Sequence, residues 1–284
     1  MPAVEVVRTG ALTTVQDGGR RGHAALGVGP SGAADRASYA LANRLLANPE
    51  GASALEVTMG GLVLRARGPV TATVTGAPCP VTVDGRGAAT DTVLHLPDGA
   101  ELRLGTPFAG LRSYVAVRGG LDVAPVLGSR STDTLAGLGP PRPEPGTVLP
   151  IGPPPRALPA VDWVPARPFP AEELDLRIVP GPRDDWFTES ALGVLLGSAY
   201  EVTSRSDRVG ARLRGPALSR RRGGELPSEG MVPGSLQVPP EGRPVLFLAD
   251  HPVTGGYPVI AVVVSADVSR AAQARPGTRL RFRL

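Results

Sequence analysis

Lysine is absent from this chain of 284 residues, and all thirty of its basic side chains are arginine. Whether or not a GC-rich coding bias is the cause, that absence excludes several chemistries. There is no P-loop lysine for a phosphate, no Schiff-base or pyridoxal-phosphate lysine, and no lysine to carry biotin. Cys79 is the only cysteine, so an intrachain disulfide and a cysteine-rich metal site are both excluded. Set between two prolines in "APCPV", it reads as a small packed residue rather than a nucleophile. The three histidines, His23, His95 and His251, lack the spacing of metal ligands, which argues against zinc. Aromatic residues make up only 4% and the net charge is +4. With few stacking platforms and mostly dispersed arginines, no nucleic-acid partner is expected. The longest apolar run, residues 259–264, is far short of the ~20 residues that cross a bilayer. The first residues lack the charged-then-apolar pattern of a signal peptide. The expectation is a cytoplasmic protein with neither a nucleic-acid nor a membrane partner.

What is abundant is glycine (37) and proline (32), in a chain that is 42% hydrophobic. That balance suits many short strands joined by tight turns, a mainly β fold with few short helices. "LVLRA", "VTATVTG", "VTVDG", "TVLHLPDG", "AELRLG" and "RSYVAVRGG" alternate apolar and polar residues, with Asp-Gly turns at Asp84 and Asp98. One helix is expected within "SGAADRASYALANRLLANPEG". Its inner face would carry Ala37, Leu41 and Leu45, its cap would be Ser31 or Asp35, and Asn48-Pro49 would end it. Twelve of residues 140–170 are proline, which reads as a stiff connector over 141–172 between β-rich domains at 1–140 and 173–284. In the second half "LDLRIVPG", "SAYEVTS", "PVLFLAD", "YPVIAVVVSAD" and "TRLRFRL" read as strands. Short helices are expected from Asp184 or Asp185 through Leu196, and over about 267–274.

Chemistry concentrates in four polar stretches. The first, residues 14–35, holds Gln16, Asp17, Arg20, His23, Ser31, Gly32 and Asp35 among six glycines. Glycines let backbone approach a ligand, and amides at a helix start attract anions. The stretch matches neither a dinucleotide fingerprint nor a P-loop, and it also reads as a surface loop held by its own side chains. The second, "SRSDRVGARLRG", pairs Asp207 with Arg208, either bracing a turn or facing an anion. The "SRRRGG" just beyond it reads as a solvated loop first and an anion site second. The third, "SEGMVPGSLQVPPEG", carries Glu229 and Gln237. The fourth, "DHPVTGGYP", sets Asp250 at the end of an apolar strand, followed by Thr254, Gly255, Gly256 and Tyr257. It reads as a ligand-facing rim or as a glycine-rich hairpin. No Gly-x-Ser-x-Gly elbow is present, so a hydrolase triad is not expected.

Five ordered motifs together resemble the biotin-dependent carboxyltransferase family, which includes KipA-like proteins, allophanate hydrolase subunit 2 and the C-type subunits of 5-oxoprolinase. They are "TTVQDGGRRGHAALGVGPSGAAD", "ALEVTMGG", "VRGGLDVAPVLGSRSTD", "SRSDRVGARLRG" and "SEGMVPGSLQVPPEGRPVLFLADHPVTGGYPVIAVVVSAD". The resemblance implies a cyclophilin-like β-barrel architecture, with an N-terminal carboxyltransferase subdomain and a C-terminal barrel. It implies a composite site shared with a KipI-like, B-type subunit of 5-oxoprolinase, and a third component with which 5-oxoproline is opened to glutamate using ATP. Alternatives within the resemblance are the carboxyltransferase part of a urea carboxylase or allophanate hydrolase system, and a KipA-like regulator of a histidine kinase inhibitor. On the leading reading, Arg20 and Arg208 neutralise phosphate or carboxylate charge, and Asp17, Asp207 or Asp250 act as bases or hold Mg²⁺. Gln16, Ser31, Gly32, Asp35, Glu229, Gln237, Thr254, Gly255, Gly256 and Tyr257 contact substrate. ATP with Mg²⁺ is expected at the level of the complex, with no resident metal and no covalent biotin on this chain.

Overall fold

The computed structural model describes residues 1–165, 167–169, 172–224 and 226–284. These form two compact units that interleave along the sequence. The first comprises Met1–Arg20, Asp35–Asp133 and Gly137–Phe169; the second comprises Arg21–Ala34, Thr134–Ala136 and Pro170–Leu284.

In the first unit the strands in chain order are β1 (Ala3–Thr9), β2 (Leu12–Gln16), β3 (Ala54–Thr58), β4 (Leu62–Arg67), β5 (Val70–Gly76) and β6 (Val81–Val83). They continue with β7 (Arg86–Ala88), β8 (Val93–Leu96), β9 (Glu101–Leu104), β10 (Arg112–Val117) and β11 (Val148–Pro150). One sheet runs β11-β1-β4-β9-β6-β7 and the other β2-β3-β10-β5-β8. Alternation gives each sheet an apolar face. Val4, Val6, Leu62, Leu64 and Leu102 of one sheet join Val15, Leu55, Val57, Val74 and Val115 of the other in a single core. Cys79 lies in that core, with its thiol pushed up by burial despite a contact from Ser113.

The opposite face of the second sheet is polar yet buried. Thr14 lies beside Glu56, Glu56 beside Tyr114, and Tyr114 beside Thr75. Helix α1 (Arg36–Leu45) covers this face, and Asp35 caps it by accepting from the amides of Ala37 and Ser38. The cap matches one of the two expected; the expected inner face matches only at Leu45. Ala37 is exposed and Leu41 only partly buried, whereas Ser38, Tyr39, Ala42, Asn43 and Leu45 point in. The helix is rotated because the sheet beneath it is polar: Thr75 donates to the Ser38 carbonyl, and Tyr114 accepts from the Asp35 amide.

The proline-rich stretch also departs from expectation. Of the connector read at 141–172, residues 166, 170 and 171 lie outside the described residues. Much of the remainder packs with the first unit: β11 pairs with β1, and Arg118 donates to the carbonyls of Pro155 and Ala157. Proline satisfies this arrangement because an edge strand needs fewer amide donors.

The second unit is a closed barrel. Its strands are β12 (Glu173–Pro180), β13 (Ala199–Val202), β14 (Gly210–Arg214), β16 (Ser235–Gln237), β17 (Val245–Phe247), β19 (Val259–Val263) and β20 (Arg279–Arg283). They close in the order β12-β19-β16-β17-β14-β13-β20. Leu174, Leu176 and Ile178 alternate inward along β12 and meet Tyr200, Leu213, Leu236, Leu246, Leu280 and Phe282. A two-stranded ribbon of β15 (Glu229–Gly230) and β18 (Thr254–Gly255) stands beside it. The expected helix from Asp184 splits into a 3₁₀ turn at Asp184–Trp186 and α2 (Glu189–Gly197), and α3 spans Ser265–Ala271.

Candidate functional site

Asp250 follows β17 as the sequence suggests, and protein donors engage its carboxylate. In the second unit it forms a two-pronged pair with Arg208, whose Nε and Nη2 donate to Oδ2 and Oδ1 at 2.9 Å each. Ser31 Oγ donates to Oδ1 at 2.7 Å, and the Thr134 amide and hydroxyl donate to Oδ2 at 2.9 and 2.7 Å. Arg208 also reaches the Gly32 carbonyl at 2.7 Å. Both members of the pair are 1% exposed. Burial by itself would raise the Asp250 pKa, but the Arg208 charge and the hydrogen bonds hold it below the ordinary value. Four residues expected at the site, Asp250, Arg208, Ser31 and Gly32, are thus brought together and bond one another. Together they form a brace that fixes the 31–32 and 134 backbone to the barrel. Asp207 is exposed and bonds the amides of Val209 and Gly210, closing the turn into β14.

A second brace lies wholly in the first unit. Asp17, at the end of β2, accepts from the Gly19 and Arg130 amides and from the Ser129 and Ser131 hydroxyls, at 2.6–2.8 Å. Here too burial raises the pKa while these donors bring it below the ordinary value. Gln16 donates to the Thr132 carbonyl and Thr14 hydroxyl, and Arg20 donates to the Ser131 carbonyl. Arg20 Nη1 lies 3.7 Å from Asp133. The Asp17 carboxylate, expected as a base or Mg²⁺ ligand, is engaged by donors of its own unit, and Asp35, expected at substrate, caps α1. Among the described residues, no cluster of three or more His, Cys, Asp or Glu side chains is placed to hold a metal.

The remaining expected residues do come together, on the rim of the barrel. β15 pairs with β18, setting Glu229 opposite Gly255 and Gly230 opposite Thr254. Gln237, at the end of β16, donates through Nε2 to the Tyr257 carbonyl at 3.2 Å. Gln237 is buried, at 7% exposed, and among the described residues no donor reaches its Oε1. Gly255 packs closely under Gln237: a Cβ there would lie well inside contact distance of Nε2, so the flexible end of the Gln237 side chain would have to move. Arg183 pairs with Glu229. The Tyr257 ring is 43% exposed, and the guanidinium of Arg220 sits over it, 5.7 Å from the centroid. The sequence does not single out Arg220. Three consecutive arginines carry no periodicity to show which one turns inward, although the apolar Leu218 two residues earlier, buried in the core, has the same strand parity. His251 is incidental to this rim: it is buried, tilted against Phe247 at 6.3 Å.

With this geometry in place, comparison with known proteins gives a consistent result. The model of the carboxyltransferase domain, subdomain A and B, matches residues 26–284. The chain is 36% identical to the C-type 5-oxoprolinase subunit of Escherichia coli K12, covering 98% of this chain and 90% of that one. It is 31% identical to urea amidolyase of Saccharomyces cerevisiae, over 99% of this chain but 16% of that one. Among solved structures, TTHA0988 superposes with a TM-score of 0.90 at 38% identity, covering all of this chain and 56% of that chain. The Kluyveromyces lactis urea carboxylase superposes at 0.90 with 30% identity, over 99% of this chain and 27% of that one. The chain thus spans about half the length of TTHA0988 and a smaller part of the yeast enzyme. The two-sheet unit, the closed barrel and a match running from residue 26 to the C-terminus place this chain in the carboxyltransferase domain family, subdomain A and B.

Proposed function

We propose that this chain is the C-type subunit of an ATP-dependent 5-oxoprolinase, working in a composite site with a KipI-like B-type subunit and a third component. The observation that carries this reading is the 36% identity to the C-type subunit of Escherichia coli over 90% of that protein's length. In the reaction the lactam C–N bond breaks, the carbonyl carbon gains the oxygen of water, and the nitrogen gains a proton. ATP is converted to ADP and phosphate alongside.

The rim supplies binding elements suited to a lactam, which presents an N–H donor beside a C=O acceptor. Gln237 Oε1, without a donor among the described residues, could accept from the N–H, and the partly exposed Tyr257 offers a flat apolar face to the ring. The carboxylates first considered for Mg²⁺ are poor candidates, because Asp17 and Asp250 already have their oxygens occupied by protein donors. We therefore place ATP with Mg²⁺ on the companion subunits and assign this chain to substrate positioning and to the two braces. The urea carboxylase alternative rests on the yeast relatives, of whose length the chain covers a minor part.

The test is reconstitution. Glutamate release from 5-oxoproline is expected only when this chain, both companion subunits and ATP are all present, and avidin should not inhibit it. Activity of the chain alone would overturn the shared site, and avidin-sensitive carboxylation of urea would favour the alternative.

A further inference from the structure

Arginines on this barrel are normally matched with acids. Arg208 is paired with Asp250, Arg183 with Glu229, Arg214 with Glu201 and Arg222 with Asp185. Arg205, Arg212, Arg221 and Arg243 make no such pair among the described residues but are exposed, whereas Arg220 makes none although it is partly buried. Its Nη2 donates to the Val238 carbonyl, yet its Nε is wholly buried with no acceptor. No carboxylate among the described residues lies within ion-pair distance of it. Burial pushes its pKa down, with Tyr257 and Glu241 opposing the change through their fields alone.

A cation taken out of water without an acid partner is costly, and folds keep such groups where an anion completes them. Arg220 is also held in place for such a partner. Its carbonyl acceptor, Val238, follows Gln237 in the chain, and its plane sits over Tyr257. The Gln237 amide oxygen and the Arg220 guanidinium are therefore anchored on the same two segments, residues 237–238 and 257. The Arg220 Nε lies out of a ligand's reach and one Nη2 hydrogen is held by Val238, so a carboxylate would be met end-on by the remaining Nη1 and Nη2 donors, a planar pair that lysine does not reproduce.

We propose that Arg220 is the carboxylate-recognition residue of the rim, gripping the carboxylate of a cyclic amino-acid substrate while Gln237 reads its amide. This deepens the 5-oxoprolinase reading and rests on it for the identity of the substrate. It makes Arg220 a determinant of specificity, distinguishing a carboxylated lactam from a bare one.

The test compares wild-type chain with Arg220→Gln and Arg220→Lys, each assembled with the companion subunits. KM for 5-oxoproline should rise at least about tenfold in Arg220→Gln with kcat within about threefold, the signature of lost ground-state binding. Arg220→Lys, which keeps the charge, should fall between the two. Inhibition by 2-pyrrolidone, the same lactam without a carboxylate, should be equal in all three assemblies. Unchanged KM in correctly folded variants, checked by their melting temperatures, overturns the carboxylate anchor and leaves the 5-oxoprolinase reading standing. A fall in kcat at constant KM, or a parallel loss of 2-pyrrolidone binding, also overturns it. If the wild-type assembly fails to turn over 5-oxoproline, the functional reading fails first and the named substrate with it.

Discussion

Asp91 and Asp250 are both buried carboxylates, and their surroundings push them in opposite directions. Burial raises Asp91 to about 6, with Arg167 only partly offsetting it, and its backbone sits in the left-handed region at φ 56. Asp250 is also penalised by burial, but Arg208, Ser31 and Thr134 bring it below the ordinary value. Because the folded pKa of Asp91 lies above its unfolded value, charging it costs stability as pH rises from about 4 through 6. Because that of Asp250 lies below its unfolded value, its contribution is fully present above about pH 4 and is lost as pH falls through the depressed value. Urea unfolding across pH should therefore separate two variants. Asp91→Asn should stabilise the protein at pH 7 by on the order of 2 kcal/mol and have little effect near pH 3.5, since asparagine tolerates a positive φ. Asp250→Asn should cost about 3–5 kcal/mol at pH 7, because Arg208 stays buried with its partner neutralised, and less in acid. A pH-independent difference for either variant would contradict this account. The sequence marks Asp17, Arg208 and Asp250 as unusual polar residues, but it cannot show whether their acceptors are already filled. That depends on Ser31, Thr134 and Ser129, which lie more than a hundred residues from the acids they bond.

Strands and caps were legible for local reasons. The β12 sequence ELDLRIVP alternates inward and outward as it reads, and Asp35 lies one residue ahead of the helix it caps. The face of α1 was not legible, because apolar spacing predicts an apolar neighbour and α1 meets a polar sheet. The polar layer is joined through Tyr114, whose hydroxyl donates to Glu56 at 2.7 Å and accepts from the Asp35 amide at 2.7 Å. Tyr114→Phe removes both bonds without changing the shape, so a buried amide and a buried carboxylate each lose a partner. The expected cost is about 3 kcal/mol. Hydrogen exchange should quicken at the Ala37 and Ser38 amides, which Asp35 caps. Unaltered exchange there would mean that the helix start does not depend on this relay. The rim was legible in part. "TGGYP" signalled close backbone approach, while the side chain being approached, Gln237, and the arginine over Tyr257 follow only from barrel pairing.

At the scale of the whole molecule, the decisive pairing is the parallel seam of β12 with β20. Glu173 lies beside Arg279 and Leu176 beside Phe282. β13 also needs β20, pairing Tyr200 with Leu280. Removing residues 279–284 should leave β12 and β13 with unpaired edges and drive the second unit into oligomers on gel filtration. A monodisperse, normally melting product would show that the barrel tolerates an open side. The seam also sets a timetable. β12 ends at Pro180 and its closing partner begins at Arg279, so the seam cannot form until nearly a hundred further residues have been made. Its other neighbour, β19, also comes later, so at ordinary rates of synthesis β12 waits on the order of ten seconds before either edge is fully paired. Stalling synthesis before Arg279 should therefore leave a protease-sensitive second unit, and release of the full chain should protect it.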